Sequence, residues 1–394
     1  MSFINLNPFD SHNLLPSYFA RVNFRDNKNI FGIRQFDRLL HMYLVGKTGT
    51  GKTSLLKTLI DQDVKSRRGI AFFDPHGDAY QSALSSIPFD LKHHTIPFNL
   101  ANPDLPFGYN PLRKVSPAKH SLVASSILEI FKRSWLSAWG LKMEHILRHI
   151  LLTLLCQPKA DFSDIPRILQ DKNFRMQCLV HTTNPDIKRF WTEEFPKYKP
   201  NDLLPIFNKV GAFLAHPIVR KILVENTRQI SFRQIMDKSH ILLINLAKGA
   251  VGTDVANILG SLLLVSLASA AYSRIDTPEG NRVPFFIYID EFQTMSGADL
   301  LSELLAQIRK FKIGIILANQ YISQLDNQVR DAVLGNVGTI ICFRLGIQDA
   351  RLMEKEFYPV FKAIDFISLA NYEIYLKLMI DGRPSQPFSA ITIL

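Results

Sequence analysis

The chain has 394 residues, of which 47% are hydrophobic and 21% are charged. That length predicts two or three domains, and the composition excludes a disordered or fibrous chain. The net charge of +11 favours a polyanionic partner, either nucleic acid or an anionic membrane face, although a merely basic soluble protein has the same balance. The three cysteines form no CxxC pair, so neither a disulfide framework nor a zinc site is expected, and a reducing cytoplasm fits.

Residues 1–34 are predicted to be an irregular lead-in, because Pro8 and Pro16 interrupt them and Asn and Asp are frequent. The segment has neither the basic start nor the apolar core of a signal peptide. Apolar runs then predict buried strands at 40–45, 70–73, 241–245, 285–290, 313–318 and 339–344. Helical patterns separate many of these runs, and this alternation predicts an α/β fold with a mostly parallel central sheet.

The segment 116–238 has helical patterns and few strand signals, and several prolines divide it into short helices. We therefore expect an inserted all-α domain between two parts of the sheet domain, 35–115 and 239–394. Two apolar runs near the end of the sequence, 372–380 and 388–394, bracket Asp381 and Gly382 and predict an antiparallel strand pair.

The run 255–273 carries no charge over 19 positions, about the length that spans a bilayer. Asn257 and four serines dilute it, and it lies between two predicted strands of the sheet domain. An all-round apolar helix buried in a parallel-sheet domain is therefore favoured over a membrane span, and no transmembrane segment is predicted.

Residues 46–53 read GKTGTGKT and match the P-loop pattern G-x-x-x-x-G-K-[ST]. The motif follows an apolar strand and opens an amphipathic helix, which makes a chance match in a turn the weaker explanation. Its glycines allow main-chain N–H groups to face phosphates, and the helix start adds a favourable dipole. Lys52 is expected to contact the β- and γ-phosphates of ATP, and Thr53 to bind Mg²⁺. The nucleotide-binding residues are thus Gly46, Lys47, Thr48, Gly49, Thr50, Gly51, Lys52 and Thr53.

The run 285–291 reads FFIYIDE, a predicted buried strand that ends in two acids. Asp290 is expected to hold Mg²⁺, and Glu291 to act as general base on the attacking water. An adjacent glutamate points to a hydrolytic motor rather than a kinase, since the nucleophile that needs a base is then water. Two acids that merely cap a strand are the alternative.

Two more side chains are candidates for the hydrolytic machinery. Gln320 follows the strand at 313–318 and could report the γ-phosphate or the attacking water; a strand-capping amide is the alternative. Arg309 lies off the apolar stripe of the preceding helix and could reach a neighbouring subunit as an arginine finger. From the residues alone, a solvated helix end is the favoured explanation of Arg309.

Five segments together resemble the conjugative coupling proteins of type IV secretion, within the HerA/FtsK group of hexameric DNA-pumping ATPases. They are FGIRQFDRLLHMYLVGKTGTGKTSLL at 31–56, GIAFFDPHGD at 69–78, FFIYIDEFQTM at 285–295, IRKFKIGIILANQY at 308–321 and GNVGTIICFRLGIQDA at 335–350. The predicted helical insertion also lies where coupling proteins carry their all-α domain. One departure is that coupling proteins usually have an N-terminal membrane anchor, whereas residues 1–34 are not apolar enough to span.

The resemblance implies a RecA-like P-loop motor, a homo-hexameric ring and DNA in its channel. It makes Arg309 the leading trans-acting finger, Gln320 the leading sensor and Arg344 a second candidate for contact across the subunit boundary. It places Asp74 and His76 near the phosphates, although a turn formed by DPHGD accounts for both equally well.

These observations predict an ATP-hydrolysing, Mg²⁺-dependent DNA translocase in the cytoplasm or peripheral to the inner face of the membrane, with a relaxase or secretion channel as its partner. The turn 248–253, with Lys248, is a candidate DNA grip; an ordinary strand–helix turn is the alternative. The motifs allow two other functions. One is a secretion ATPase that acts on protein or assembly, and the other is a P-loop regulator that scarcely hydrolyses nucleotide.

Overall fold

The computed structural model describes residues 15–23, 28–113, 115–226, 228–295 and 298–393. Eleven strands form one sheet in the order β2-β1-β13-β10-β9-β3-β8-β7-β4-β6-β5, and β11 pairs with β12 separately. The strands are β1 Ser17–Val22, β2 Ile30–Ile33, β3 Met42–Val45, β4 Gly69–Asp74, β5 Thr95–Asn99, β6 Ile241–Asn245, β7 Phe285–Ile289, β8 Ile313–Asn319, β9 Thr339–Cys342, β10 Glu373–Lys377, β11 Met379–Ile380, β12 Arg383–Pro384 and β13 Phe388–Thr392.

The sheet is mixed but mostly parallel. Seven neighbouring strands, from β9 to β5 in the sheet order, pair in parallel. The remaining four strands, β10, β13, β1 and β2, add to one edge in antiparallel fashion. The predicted α/β class is confirmed, and so is the antiparallel pairing of the two C-terminal runs.

The parallel strands read as continuous apolar runs because both faces of the sheet are covered. Along β3, Tyr43 and Val45 enter the buried cluster on one face, while Met42 and Leu44 enter the cluster on the other. The second cluster contains the apolar stripe of the helix Lys52–Lys65. The sheet therefore fixes the strand ends on which the polar motif residues lie.

Three strands of the large sheet were not predicted. β1 and β2 lie within the segment expected to be irregular, and they form the edge of the sheet. β1 pairs with β13, whose residues are more than three hundred positions away, so no local pattern indicates the pairing. β5 includes Pro97, which weakens its strand signal and is tolerated because β5 is the other edge strand.

The elements named among the described residues between β5 and β6 are all helical, and an isolated bridge joins Gly108 to Gln229. These helices are His120–Ser134, Leu141–Leu155, Asp164–Gln170, Lys172–His181, Pro185–Arg189, Pro200–Ala215, Pro217–Arg220 and Phe232–Asp237. The helices elsewhere are Gln35–Arg38, Lys52–Lys65, Asp78–Ser85, Lys248–Val251, Thr253–Ser273, Ala298–Gln307, Asn327–Asn336, Ile347–Glu356 and Ala363–Ser368.

The apolar helix Thr253–Ser273 is mostly buried between the sheet and the helices of the insertion. The Tyr109 hydroxyl donates to the Leu262 carbonyl at 3.0 Å, and so joins the segment that follows β5 to the middle of this helix. Among the described residues, it is the one helix long and apolar enough to cross a membrane, and 67% of its most apolar window is buried in the protein. Its burial on all sides accounts for its uniform composition.

A buried ion network joins the helix Lys52–Lys65 to β7. Arg38 donates to both carboxylate oxygens of Asp63, at 2.7 and 2.8 Å, and Arg68 donates to Asp63 at 2.9 Å. The Tyr288 hydroxyl, two residues before Asp290, donates to Asp63 at 2.5 Å. The two arginines hold the pKa of Asp63 below its usual value despite complete burial, which by itself raises that pKa. We call these four residues the Asp63 network.

Candidate functional site

The P-loop connects β3 to the helix Lys52–Lys65 at the centre of the sheet. Gly49 and Gly51 have φ of 76° and 121°, a region that side-chain-bearing residues rarely adopt. The loop is tied to the strand ends beside it, because Lys47 N donates to the Arg344 carbonyl at 2.9 Å. Its main chain is thus shaped by two glycines and anchored by β9.

Lys52 is buried inside the loop that it follows. Its ammonium donates to the carbonyls of Gly46 and Lys47 at 2.5 and 3.0 Å. Burial lowers its pKa, and the nearby carboxylates of Asp290 and Glu291 partly oppose that shift. A cation held this close to the loop main chain is positioned to transfer its hydrogen bonds to phosphate oxygens.

The carboxyl end of β7 brings Asp290 to the start of the P-loop helix. The Thr53 hydroxyl donates to Asp290 Oδ2 at 3.4 Å. A hydroxyl and a carboxylate that converge on one point are the hard oxygen donors that Mg²⁺ prefers, so these residues fit the predicted metal. Burial, with Asp74 as the second cause, raises the pKa of Asp290 to about 6.

The raised pKa of Asp290 predicts a pH-dependent affinity for Mg²⁺. A proton competes with the metal below a pKa of about 6, so the apparent affinity is expected to fall by up to about tenfold for each pH unit below that value. Magnesium titrations of nucleotide binding between pH 5 and pH 7.5 measure this apparent affinity. The Asp290→Asn variant cannot take up the proton, so the pH dependence that remains in it comes from the nucleotide's own phosphates. Equal pH slopes in the two proteins would contradict the prediction.

Glu291 is held on both carboxylate oxygens. Gln320 Nε2 donates to Oε1 at 2.5 Å, and His76 Nε2 lies 3.1 Å from Oε2. Gln320 in turn accepts a hydrogen bond from the Thr48 hydroxyl of the P-loop at 3.0 Å. A chain of contacts therefore runs from His76 after β4 through Glu291 and Gln320 to the P-loop.

Asp74 shapes the turn after β4. Its carboxylate accepts hydrogen bonds from the main-chain N–H groups of His76 and Tyr80, at 2.9 and 2.7 Å. Asp74 therefore forms the turn, which was one of the two roles that the sequence allowed for it. His76 instead contacts Glu291.

Lys248 begins a four-residue helix, and its main-chain N–H donates to the Pro75 carbonyl at 2.9 Å.

The two arginine candidates lie at opposite ends of the parallel strands. Arg309 precedes β8, so it lies at the amino ends of the strands, where its guanidinium is 5.7 Å from the centre of the Phe36 ring. Arg344 follows β9 beside the P-loop of its own chain, and its side chain donates to the Leu369 carbonyl and to Asn371. The Arg344 guanidinium therefore has hydrogen-bond partners in its own chain.

Tyr372 contacts the P-loop but no motif pointed to it. Its main-chain N–H donates to the Thr50 carbonyl at 2.8 Å, and its ring would lie 2.8 Å from a Cβ built on Gly51. The carbonyl of Tyr372 accepts a hydrogen bond from Thr392 N at 2.9 Å. β10 and β13 therefore support the phosphate loop.

Residues 37–156 match the family model described as the central domain of the helicase HerA. The plasmid coupling protein TrwB, solved with ADP and Mg²⁺, superposes on 96% of this chain and 95% of its own length, with a TM-score of 0.66 and 15% sequence identity. The chain has the RecA-like P-loop fold of TrwB. The predicted resemblance to the coupling proteins is confirmed at the level of the fold.

Further solved structures share this fold. VirB4 of Thermoanaerobacter pseudethanolicus matches 96% of both chains, with a TM-score of 0.65 and 14% identity. TrwB has also been solved with non-hydrolysable analogues of ATP and GTP. The ligands of these TrwB structures, nucleotides and Mg²⁺, are of the class predicted for this chain. No curated protein sequence matches the chain significantly.

Proposed function

We propose that this chain is a Mg²⁺-dependent ATPase that translocates DNA. The observation that carries the ATPase proposal is the convergence of Lys52, Thr53, Asp290 and Glu291 at the carboxyl ends of β3 and β7. The P-loop main chain and Lys52 would bind the phosphates, and Thr53 with Asp290 would hold Mg²⁺. The bound metal would neutralise developing charge on the phosphates.

Glu291 would accept the proton of the attacking water. Gln320 and His76 each contact one carboxylate oxygen of Glu291, and release of Gln320 would open Oε1 further to water. Gln320 is the partner that also contacts the P-loop, through Thr48, so phosphate in the loop competes for the Gln320 amide. The expected sensing role of Gln320 follows from this competition.

A ring of subunits is part of the proposal. β8 separates Arg309 from the site that Gln320 borders, and its seven residues extend over roughly 23 Å at about 3.3 Å per residue. Arg309 is therefore too far from its own nucleotide site to serve it. If Arg309 acts as an arginine finger, it acts on the nucleotide of another subunit, as proposed for a homo-hexamer.

DNA as the substrate is supported by the net charge of +11 and by the motor fold shared with a plasmid coupling protein. Lys248 is the proposed DNA grip, because its turn lies at the same end of the strands as the nucleotide site. The Lys248→Ala variant is expected to weaken DNA binding by several-fold and to reduce the slope of log affinity against log salt by about one. An unchanged slope would remove Lys248 from the proposal.

ATP hydrolysis by the purified chain, with and without single- and double-stranded DNA, tests the function directly. DNA is expected to raise the rate, and the Lys52→Ala variant to show no hydrolysis above background because the phosphate contacts are lost. Hydrolysis that is indifferent to DNA across a range of salt would contradict translocation and favour a protein-secretion motor instead. A relaxase or secretion channel as partner, and action at the inner face of the membrane, also belong to the proposal.

A further inference from the structure

His76 is the outer of the two side chains that hold Glu291. Its side chain is 57% exposed, whereas that of Glu291 is only 14% exposed. His76 approaches Oε2 from the β4 side, and Gln320 approaches Oε1 from the β8 side. β4 and β8 are the two strands that flank β7, so the carboxylate is held between its two neighbours in the sheet.

The two contacts differ in their dependence on nucleotide. Gln320 is connected to the P-loop through Thr48, so phosphate binding alters its surroundings directly. The main chain of His76 belongs instead to the turn that the Asp74 carboxylate fixes. When Gln320 turns to a phosphate, Oε1 becomes available to water while His76 still orients the carboxylate through Oε2.

The turn that carries His76 is also joined to the turn after β6. Lys248 N donates to the Pro75 carbonyl at 2.9 Å, and Leu246 N donates to the Asp74 carbonyl at 2.8 Å. Gly77 has a φ of 102°, and a Cβ at this position would lie 2.8 Å from the Asn245 amide nitrogen. Contacts this close require the two turns to move together.

We propose that His76 is a positioning residue that aims Glu291 and couples its orientation to the turn that carries Lys248. The coupling rests on the proposed function, because it needs DNA to act on the Lys248 turn. In this arrangement DNA shifts the β6 turn, the β4 turn follows, and His76 alters the direction of the catalytic carboxylate. His76 acts on the reaction only through Glu291.

The test uses the full chain with His76→Ala, His76→Gln and, as a matched control, His181→Ala on an exposed position of an insertion helix. Initial rates of ATP hydrolysis are measured over a range of ATP concentrations, with and without DNA. His76→Ala is expected to lower kcat by about 10- to 100-fold at an unchanged KM, and to bring the ratio of DNA-stimulated to basal rate close to one. His76→Gln keeps an N–H donor and is expected to recover most of both properties.

Wild-type kcat together with wild-type DNA stimulation in His76→Ala would overturn the inference. So would a fall in kcat with a rise in KM that His76→Gln does not reverse, because the loss would then not come from the N–H contact with Glu291. If the wild-type rate ignores DNA while His76→Ala loses kcat and His76→Gln recovers it, the proposed DNA function and the coupling fail but the aiming role stands. The two failures are therefore distinguishable.

Discussion

Replacing Glu291 with Gln is expected to lower kcat for ATP hydrolysis by about 10²- to 10⁴-fold, the range that a general base contributes. Gln keeps the size of the side chain and can still contact Gln320, but it cannot accept the proton of the attacking water. Nucleotide binding is expected to remain near the wild-type level, because Lys52 and the P-loop main chain are unchanged. Steady-state hydrolysis measures the fall in kcat, and equilibrium binding of a fluorescent ATP analogue measures the retained affinity for nucleotide.

Glu279→Gln is the matched control for this variant. Glu279 is exposed and precedes β7, whereas Glu291 follows it, so the same chemical change is made at the other end of one strand. Wild-type turnover is expected for Glu279→Gln. Wild-type turnover in Glu291→Gln as well would exclude Glu291 as the base.

Replacing Asp63 with Ala is expected to lower the free energy of unfolding by about 3–5 kcal/mol, the cost of leaving a buried charge without its partner. The change removes the acceptor for Arg38, Arg68 and Tyr288, and both arginines lose their counter-ion inside the protein. Urea unfolding followed by circular dichroism measures the loss as a lower midpoint at constant slope.

Asp61→Ala controls for the loss of a carboxylate from the same helix. Asp61 pairs with Lys65 at 2.7 Å on the exposed face, so its removal is expected to change stability by less than about 1 kcal/mol. Similar losses in the two variants would contradict the stabilising role of the Asp63 network. Because the pKa of Asp63 is lowered in the folded chain, its contribution is present above the ordinary carboxyl pKa and is lost as the pH falls through the lowered value.

The parts of the site that could be predicted are those with a local pattern. GKTGTGKT specifies a loop between a strand and a helix, and FFIYIDE specifies a buried strand that ends in acids. Parallel pairing then brings the ends of β3, β7 and β8 together, which is why the predicted residues Lys52, Asp290 and Gln320 meet. The roles of these residues stay predictions until hydrolysis is measured.

Contacts between distant segments could not be predicted. His76 and Glu291 lie 3.1 Å apart, but nothing in either segment indicates the other. Arg38 and Asp63 read as ordinary charges of amphipathic helices, and only tertiary packing makes them a buried pair. Tyr372 approaches the P-loop through β10, so its contact with the loop depends on strand order and not on a motif.

The position of β13 in the sheet has a consequence for synthesis. β1 pairs with β13, which is translated more than three hundred residues after it. The Tyr372 carbonyl, which supports the phosphate loop, likewise accepts its hydrogen bond from Thr392. A nascent chain that has reached only the insertion therefore has an unpaired strand edge and an unsupported P-loop. Competence to bind nucleotide is therefore expected to arise only once β13 has been translated and has joined the sheet.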